Sequence, residues 1–273
     1  MSATLLALGA IALWSLLAVL AVTLRDVPPF LLLGLALTGA GLAALPTWRK
    51  WRVARSTLAI GVYGLFGFHL LLFLALRRAP PVEANLVNYL WPLLIVLLAP
   101  LFGDTRLSVR HVTGALLGLA GALLVISGGR WTLSGAHWDG YLLALGSAFV
   151  WATYSLATRR LAPFPTAAVG LFCLVSGVLA LGVHAAIEPR FMPHAVQWLW
   201  IALLALGPMG AAFFLWDAAL KKGDPRALGA LAYLTPLGST LALVASGAGE
   251  LGAATFAAAL LIVGGAVLAA RPN

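Results

Sequence analysis

Charged side chains are scarce in this chain of 273 residues: only 9% are Asp, Glu, Lys or Arg, whereas 62% are hydrophobic. A soluble domain carries roughly 25% charged residues, so this chain would expose far too much apolar surface to water. The scarcity of charge excludes a soluble globular protein. It predicts an all-α, multi-pass integral membrane protein.

Cysteine is almost absent as well, because the single Cys173 lies in an apolar run. This excludes a disulfide framework and a cysteine metal site. No segment between apolar runs is long enough for a soluble nucleotide-binding domain or an ATPase. The chain also lacks a Walker loop, a His-Glu-x-x-His motif and a Gly-x-Ser-x-Gly motif. We therefore expect no enzyme activity, no cofactor and no metal.

Ten apolar runs occupy most of the chain, and most of them approach the roughly 20 residues that a bilayer requires. They are residues 3–24, 30–46, 57–76, 83–102, 110–127, 139–160, 166–187, 197–220, 226–247 and 252–270. The first run has no basic segment before it, so we interpret it as a transmembrane helix and not as a cleaved signal.

The positions of Lys and Arg predict the orientation. With the N-terminus in the cytoplasm, twelve of the 17 basic residues fall in inside loops. The five outside are Arg25, Arg77, Arg78, Arg130 and Arg190. Cytoplasmic loops carry the excess of basic residues, so both termini are expected inside. The net charge of +9 then reflects topology and anionic lipid headgroups, and we expect no nucleic acid as a partner.

A proline-bearing stretch occurs twice, at residues 76–93 and 220–237. Each copy has two basic residues, a proline and then an apolar run interrupted by Tyr-Leu-x-Pro-Leu. Proline removes a backbone donor inside a helix, so Pro92 and Pro236 predict breaks. Breaks at matching places in two halves of a hydrophobic chain indicate a substrate site near the bilayer midplane.

The rest of the chain repeats too, since Trp14 matches Trp151 at an offset of 137 residues. Each half, 1–130 and 131–273, therefore holds five runs. Five is odd, so the second half must be inverted relative to the first. This construction is typical of alternating-access transporters.

These motifs carry a resemblance. The Gly-x-x-x-x-Trp of Gly9 to Trp14 and of Gly146 to Trp151, with the two Tyr-Leu-x-Pro-Leu segments, is similar to the EamA family of the drug/metabolite transporter superfamily. Asn88 before the first Tyr-Leu-Trp-Pro resembles the YddG-type aromatic amino-acid exporters within it. The resemblance implies ten helices in two five-helix repeats, located in the bacterial inner (cytoplasmic) membrane. It also implies secondary export of aromatic and other apolar amino acids from the cytoplasm through a central cavity.

The fourth run carries the most informative polar residues. Asn85, Asn88, Tyr89 and Pro92 recur at helical spacing and so share one face, which Trp91 flanks. Amides facing lipid would be unfavourable, so this face points inward. It forms either a substrate wall or a polar contact that joins helices.

Further aromatic residues lie well inside their runs, where they would line a cavity or pack between helices. The expected substrate-binding residues are Trp14, His69, Asn85, Asn88, Tyr89, Trp91, Trp151, Tyr154, Phe213 and Tyr233. The expected hinges are Pro92, Pro208 and Pro236.

Two titratable residues lie inside apolar runs and are candidates for ion coupling. His69 would contact substrate, relay protons, or simply bond a neighbouring carbonyl. Asp217 lies one turn before Lys221, a spacing that favours an interfacial salt bridge over a gate or a coupling acid.

Two other functions are open. A protein of this fold could export a sugar, a nucleotide sugar or a cationic drug. A membrane-embedded enzyme would need clustered interfacial groups, and the loops offer only scattered ones: Asp104, His137, Asp139, Glu188 and His194. The expected partners are a small-molecule substrate and the lipid bilayer, with no obligatory protein partner.

Overall fold

The computed structural model describes residues 1–103, 106–129, 135–161, 163–247 and 251–270, and within these ranges all regular elements are helical. The helices are α1 (Ala3–Thr23), α2 (Pro29–Ala43), α3 (Arg55–Leu76), α4 (Pro81–Phe102), α5 (Val109–Ser127), α6 (Trp138–Ala157), α7 (Thr166–Ile187), α8 (Ala195–Lys222), α9 (Pro225–Ala245) and α10 (Ala253–Ala270). In this described part, eight helices are long and apolar enough to cross a membrane, and α2 and α10 are shorter apolar helices. Asp104, Arg130 and the expected boundary between the halves at 130–131 lie outside the described residues.

Each predicted apolar run coincides with a helix, because a backbone in lipid must satisfy its polar groups within the segment. The starts follow local capping chemistry. Prolines occupy the first turn of α2, α4 and α9, where a missing N–H costs nothing. The largest differences are three residues, at the ends of the second and sixth runs. There α2 stops at Ala43, with a 3₁₀ helix following at Leu45–Lys50, and α6 stops at Ala157.

The helices pack in matched pairs. The short α2 packs along α7, and α10 packs along α5; α3 packs against α6, and α8 against α1. Glycines allow α5 and α10 to approach closely, because a Cβ on Gly265 would overlap the carbonyl oxygen of Gly114. These glycines therefore form the packing face between α5 and α10.

Five helices depart from regular geometry in their middle. Regular helix in α1 stops at Ser15 and resumes at Leu17. A π-helical turn interrupts α3 at Tyr63–Gly67, and another interrupts α8 at Gly207–Ala211. Regular helix in α4 stops at Asn88 and resumes at Trp91, while in α9 it stops at Ala232 and resumes at Leu234. At three interruptions a side chain of another helix bonds a backbone group: Trp14 donates to the Pro208 carbonyl, Ser15 donates to the Thr235 carbonyl, and the Leu93 N–H donates to the Tyr233 hydroxyl.

Candidate functional site

A cavity of about 700 Å³ lies between the interrupted helices. This volume is within the roughly 300–1,000 Å³ typical of small-molecule sites. It brings together most of the residues that the sequence singled out: Trp14, His69, Asn85, Asn88, Tyr89, Trp91, Trp151, Phe213 and Pro236. From there it extends along α1 to Arg25, in the loop before α2.

Tryptophans close the inner end of the cavity. The Trp14 ring lies 5.8 Å from Trp151 and 5.4 Å from Trp216, and Trp91 lies 5.9 Å from Trp216. Phe213 joins them, with its ring 5.6 Å from Trp151. Edge and tilted contacts of this kind stabilise aromatic clusters beyond the area that they bury. This cluster of Trp14, Trp91, Trp151, Trp216 and Phe213 is called the aromatic floor.

The four indole N–H groups divide into two kinds. Trp14 Nε1 donates to the Pro208 carbonyl at 3.2 Å, and Trp216 Nε1 donates to Ser155 Oγ at 3.2 Å. The indoles of Trp91 and Trp151 have no acceptor among the described residues, and both line the cavity. Two hydrogen-bond donors therefore face the cavity from its floor.

The α4 wall adds amides. Asn85, Asn88 and Tyr89 line the cavity as their spacing predicts. The Ser147 hydroxyl of α6 shares its proton between the Phe68 carbonyl oxygen at 3.0 Å and Asn88 Oδ1 at 3.1 Å. With Oδ1 engaged in this way, the Asn88 NH₂ group is the donor available to a ligand. The prediction that Pro92 shares this face is wrong: helix α4 breaks before it, and the change of direction turns Trp91 to the cavity while Pro92 is buried.

His69 follows the π-turn of α3. Its Nδ1 lies 2.6 Å from the Leu65 carbonyl oxygen, one turn earlier. A carbonyl accepts only, so Nδ1 carries the proton, and Nε2 of a neutral ring is an acceptor. His69 lines the cavity beside Phe213, whose ring centre is 6.3 Å away. The carbonyl-bonded arrangement is present, and it leaves Nε2 for a ligand.

Two residues of the predicted set lie behind the walls. Tyr154 packs 5.4 Å from the Trp151 ring, in the space left by Gly64, and does not line the cavity. Tyr233 is fully buried, and its hydroxyl lies at the break of α4. The prediction that they line the cavity is wrong for this conformation, because both rings fill gaps between helices.

The charged side chains nearest the cavity, among the described residues, lie at its rim or beyond its aromatic floor. Arg25, with 77% of its side chain exposed, is the one charged residue among the described lining residues. Asp217 lies beyond the aromatic floor, where its Oδ2 accepts from Lys221 Nζ at 2.6 Å and from Thr166 Oγ1 at 2.6 Å. The expected salt bridge to Lys221 is therefore present, and Asp217 does not reach the cavity.

Sequence reasoning missed two structural features. Trp216 joins the aromatic floor, and its position one turn after Phe213 was a usable signal. Glu188 was classed with scattered loop residues, yet its side chain is fully buried. It binds Arg77, His184 and the backbone N–H groups of Phe30 and Leu31.

Comparison with known proteins gives consistent matches. The sequence pattern of the EamA-like transporter family matches residues 1–127 and 138–271, which confirms the expected resemblance. A relative described as aromatic amino acid exporter YddG, from Ancylobacter novellus, is 42% identical over 98% of this chain and 96% of its own length. One of the same description from Escherichia coli is 28% identical over 68% of this chain and 66% of its own length. A solved crystal structure superposes with a TM-score of 0.94 at 41% sequence identity, over 98% of this chain and 96% of that one.

Proposed function

Because this chain belongs to the EamA-like transporter family, we propose that it exports aromatic and other apolar amino acids from the cytoplasm. It is a multi-pass transporter of the inner membrane, and not an enzyme. The main support for this substrate is the cavity, in which the aromatic floor adjoins the amide-bearing wall of α4. The relative that is 42% identical is described as an aromatic amino acid exporter, which supports the same substrate.

The cavity has matching groups for each part of an amino acid. The indole N–H of Trp91 and the NH₂ of Asn88 donate to the carboxylate. His69 Nε2 accepts from the ammonium group, and the rings of Trp14 and Trp151 face the aromatic side chain. Arg25 at the rim attracts the carboxylate and disfavours a cationic drug.

The architecture we propose is ten transmembrane helices in two inverted repeats, residues 1–130 and 131–273, which form one transmembrane domain. Helix pairing supports it, since α2 with α7 and α5 with α10 each join equivalent helices. The contact of α3 with α6 becomes the contact of α8 with α1 when each helix is replaced by its equivalent in the other repeat. The two π-turns begin 144 residues apart, at Tyr63 and Gly207.

With both termini in the cytoplasm, the loop that holds Arg25 faces outward. The described conformation is then open to the outside, because the cavity reaches that loop and the aromatic floor closes its other end. Transport requires one repeat to rock against the other, with hinges at Pro92, Pro208 and Pro236. Trp14 bonds the Pro208 carbonyl, so the floor is directly joined to one hinge.

Export runs downhill in this proposal, without a coupled ion. Asp217 is held by Lys221 and Thr166 at the closed end, so it serves the structure and not proton transfer. Among the described lining residues, His69 is the one histidine, and there is no carboxylate. A proton-coupled mechanism would therefore have to use His69.

Counterflow in proteoliposomes tests the substrate. Vesicles loaded with unlabelled tryptophan should accumulate labelled tryptophan, and phenylalanine should compete, whereas a sugar and a quaternary ammonium compound should not. Uptake equal to that of empty liposomes would sink the amino-acid proposal. Competition by the sugar or by the cation alone would favour those cargoes.

A further inference from the structure

Tyr233 occupies the break in helix α4 of the opposite repeat. Its hydroxyl accepts from the Leu93 N–H at 3.2 Å and donates to the Tyr89 carbonyl oxygen at 3.2 Å. In an unbroken helix, the Leu93 N–H would donate directly to the Tyr89 carbonyl, four residues earlier. The hydroxyl is therefore inserted into the helical hydrogen-bond ladder, which is an established cause of helix kinks.

Tyr89 is the equivalent residue of the first repeat, 144 positions earlier, and its environment is different. Its side chain is half-buried and lines the cavity. Among the described residues, its hydroxyl has no hydrogen-bond partner. The groups of α9 equivalent to those that Tyr233 bridges in α4 are the Tyr233 carbonyl and the Leu237 N–H. One tyrosine is thus engaged across the repeats and its counterpart is free.

We propose that Tyr233 and Tyr89 exchange these roles during transport. In this conformation Tyr233 holds the break of α4. When the cavity opens to the opposite side, the Tyr89 hydroxyl inserts at the break of α9 and Tyr233 is released toward the cavity. The inference rests on the proposed alternating access of inverted repeats, in which each repeat adopts the other's conformation. Each tyrosine is then a positioning residue for one state.

The exchange has a physical cause in backbone satisfaction. A kink in a helix breaks the hydrogen bond between a carbonyl and the N–H four residues later. In lipid, leaving these two groups unpaired is energetically costly. A hydroxyl can serve both because it donates and accepts. Removing it with Tyr→Phe keeps the ring but loses two bonds in one state, a change of roughly tenfold in the population ratio.

Matched reporter cysteines can measure that ratio. Ala21 is exposed and lines the cavity, and Thr158, at the equivalent position 137 residues later, is buried. Each is changed to Cys in a Cys173→Ala background, since Cys173 is the only native cysteine. The protein is reconstituted in nanodiscs, where both faces are accessible, and labelled with a polar maleimide in the absence of substrate.

The two hydroxyl deletions should act in opposite directions. Tyr233→Phe should slow labelling of Ala21→Cys and speed that of Thr158→Cys, changing the ratio of the two rates about tenfold. Tyr89→Phe should change it the other way, and the double variant should return it toward the wild-type value. Tyr63→Phe removes a hydroxyl that bonds Thr153 on the exposed surface, so it should change nothing.

Two results would overturn the exchange: a Tyr89→Phe ratio equal to that of the wild type, or shifts of the same direction from both variants. Tyr89→Phe keeps the test decisive even if Tyr233→Phe folds poorly, because its hydroxyl bonds nothing in the described state. The labelling needs no substrate. Opposite shifts without tryptophan counterflow would therefore reject the proposed cargo and retain the exchange.

Discussion

The carboxylates at the two ends of the bundle are bound in different ways. Glu188, at the end of α7, accepts from Arg77 at 3.0 Å and from two backbone N–H groups at the start of α2, at 3.1 Å each. Asp217, in α8, is bound by Lys221 of its own helix and by Thr166 at the start of α7. Arg77 and Lys221 are equivalent in sequence, 144 residues apart.

The difference lies in which helices are joined. Glu188 ties α7 to α2 and α3, and so links the two halves at the open end. Asp217 joins only helices of the second half. At the closed end, the halves are linked by Arg226, which donates to the Arg106 carbonyl, and by Asp224, 3.8 Å from His111. In the proposed alternating access, the Glu188 cluster would persist as a pivot, while the Arg226 contacts would separate when the closed end opens.

Substitution of Glu188 should have the largest effect on stability. Glu188→Gln leaves Arg77 and the α2 N–H groups without their charged acceptor in a fully buried position, and should cost about 3 kcal/mol. Thermal unfolding in detergent measures it. The matched control is Asp139→Asn, whose 3.7 Å pair with Arg78 is exposed, with an expected loss under about 0.5 kcal/mol. Equal losses in the two variants would contradict a larger structural contribution from the buried Glu188 cluster.

Asp217→Asn should have a smaller effect, about 1–2 kcal/mol, because a partly exposed Lys221 keeps its bond to the Phe164 carbonyl. Tryptophan counterflow should persist, and its dependence on pH should match that of the wild type. A pH profile that flattens in Asp217→Asn would instead assign ion coupling to this carboxylate.

Of the three carboxylates Glu188, Asp217 and Asp224, the last should contribute least to stability, since its side chain is 34% exposed. Burial raises its pKa, but the hydrogen bonds from Arg226 outweigh burial and hold the pKa below the usual 3.8. A lowered folded-state pKa gives stability that is present above the unfolded pKa and lost as the pH falls through the folded one. The stability difference between wild type and Asp224→Asn should be constant from about pH 7 to 5 and narrow below about pH 4. If the stability difference already shrinks between pH 7 and 5, the Asp224 carboxylate is not the group whose titration causes it.

Much of the fold was predictable because apolar run length and repeated motifs are local signals. The same holds for the α4 wall, where Asn85, Asn88 and Tyr89 follow helical spacing into the cavity. The position of the break in α4 could not be predicted from the sequence. Tyr233, which binds there, is 144 residues from Tyr89, and the break lies ahead of Pro92. Glu188 carries no sequence signal either, because its partner Arg77 lies 111 residues distant.

The central claim is that substrate recognition is concentrated in α4 and the tryptophan floor, and not shared equally with α9. Trp91 and Thr235 are repeat equivalents, and both line the cavity. Tryptophan counterflow should be compared for Trp91→Ala and Thr235→Ala at equal reconstituted protein. We expect Trp91→Ala to lower the initial rate at low substrate concentration by about 30-fold, as loss of an aromatic binding residue does. Thr235→Ala should lower it no more than about threefold. Equal losses in the two variants would contradict the account.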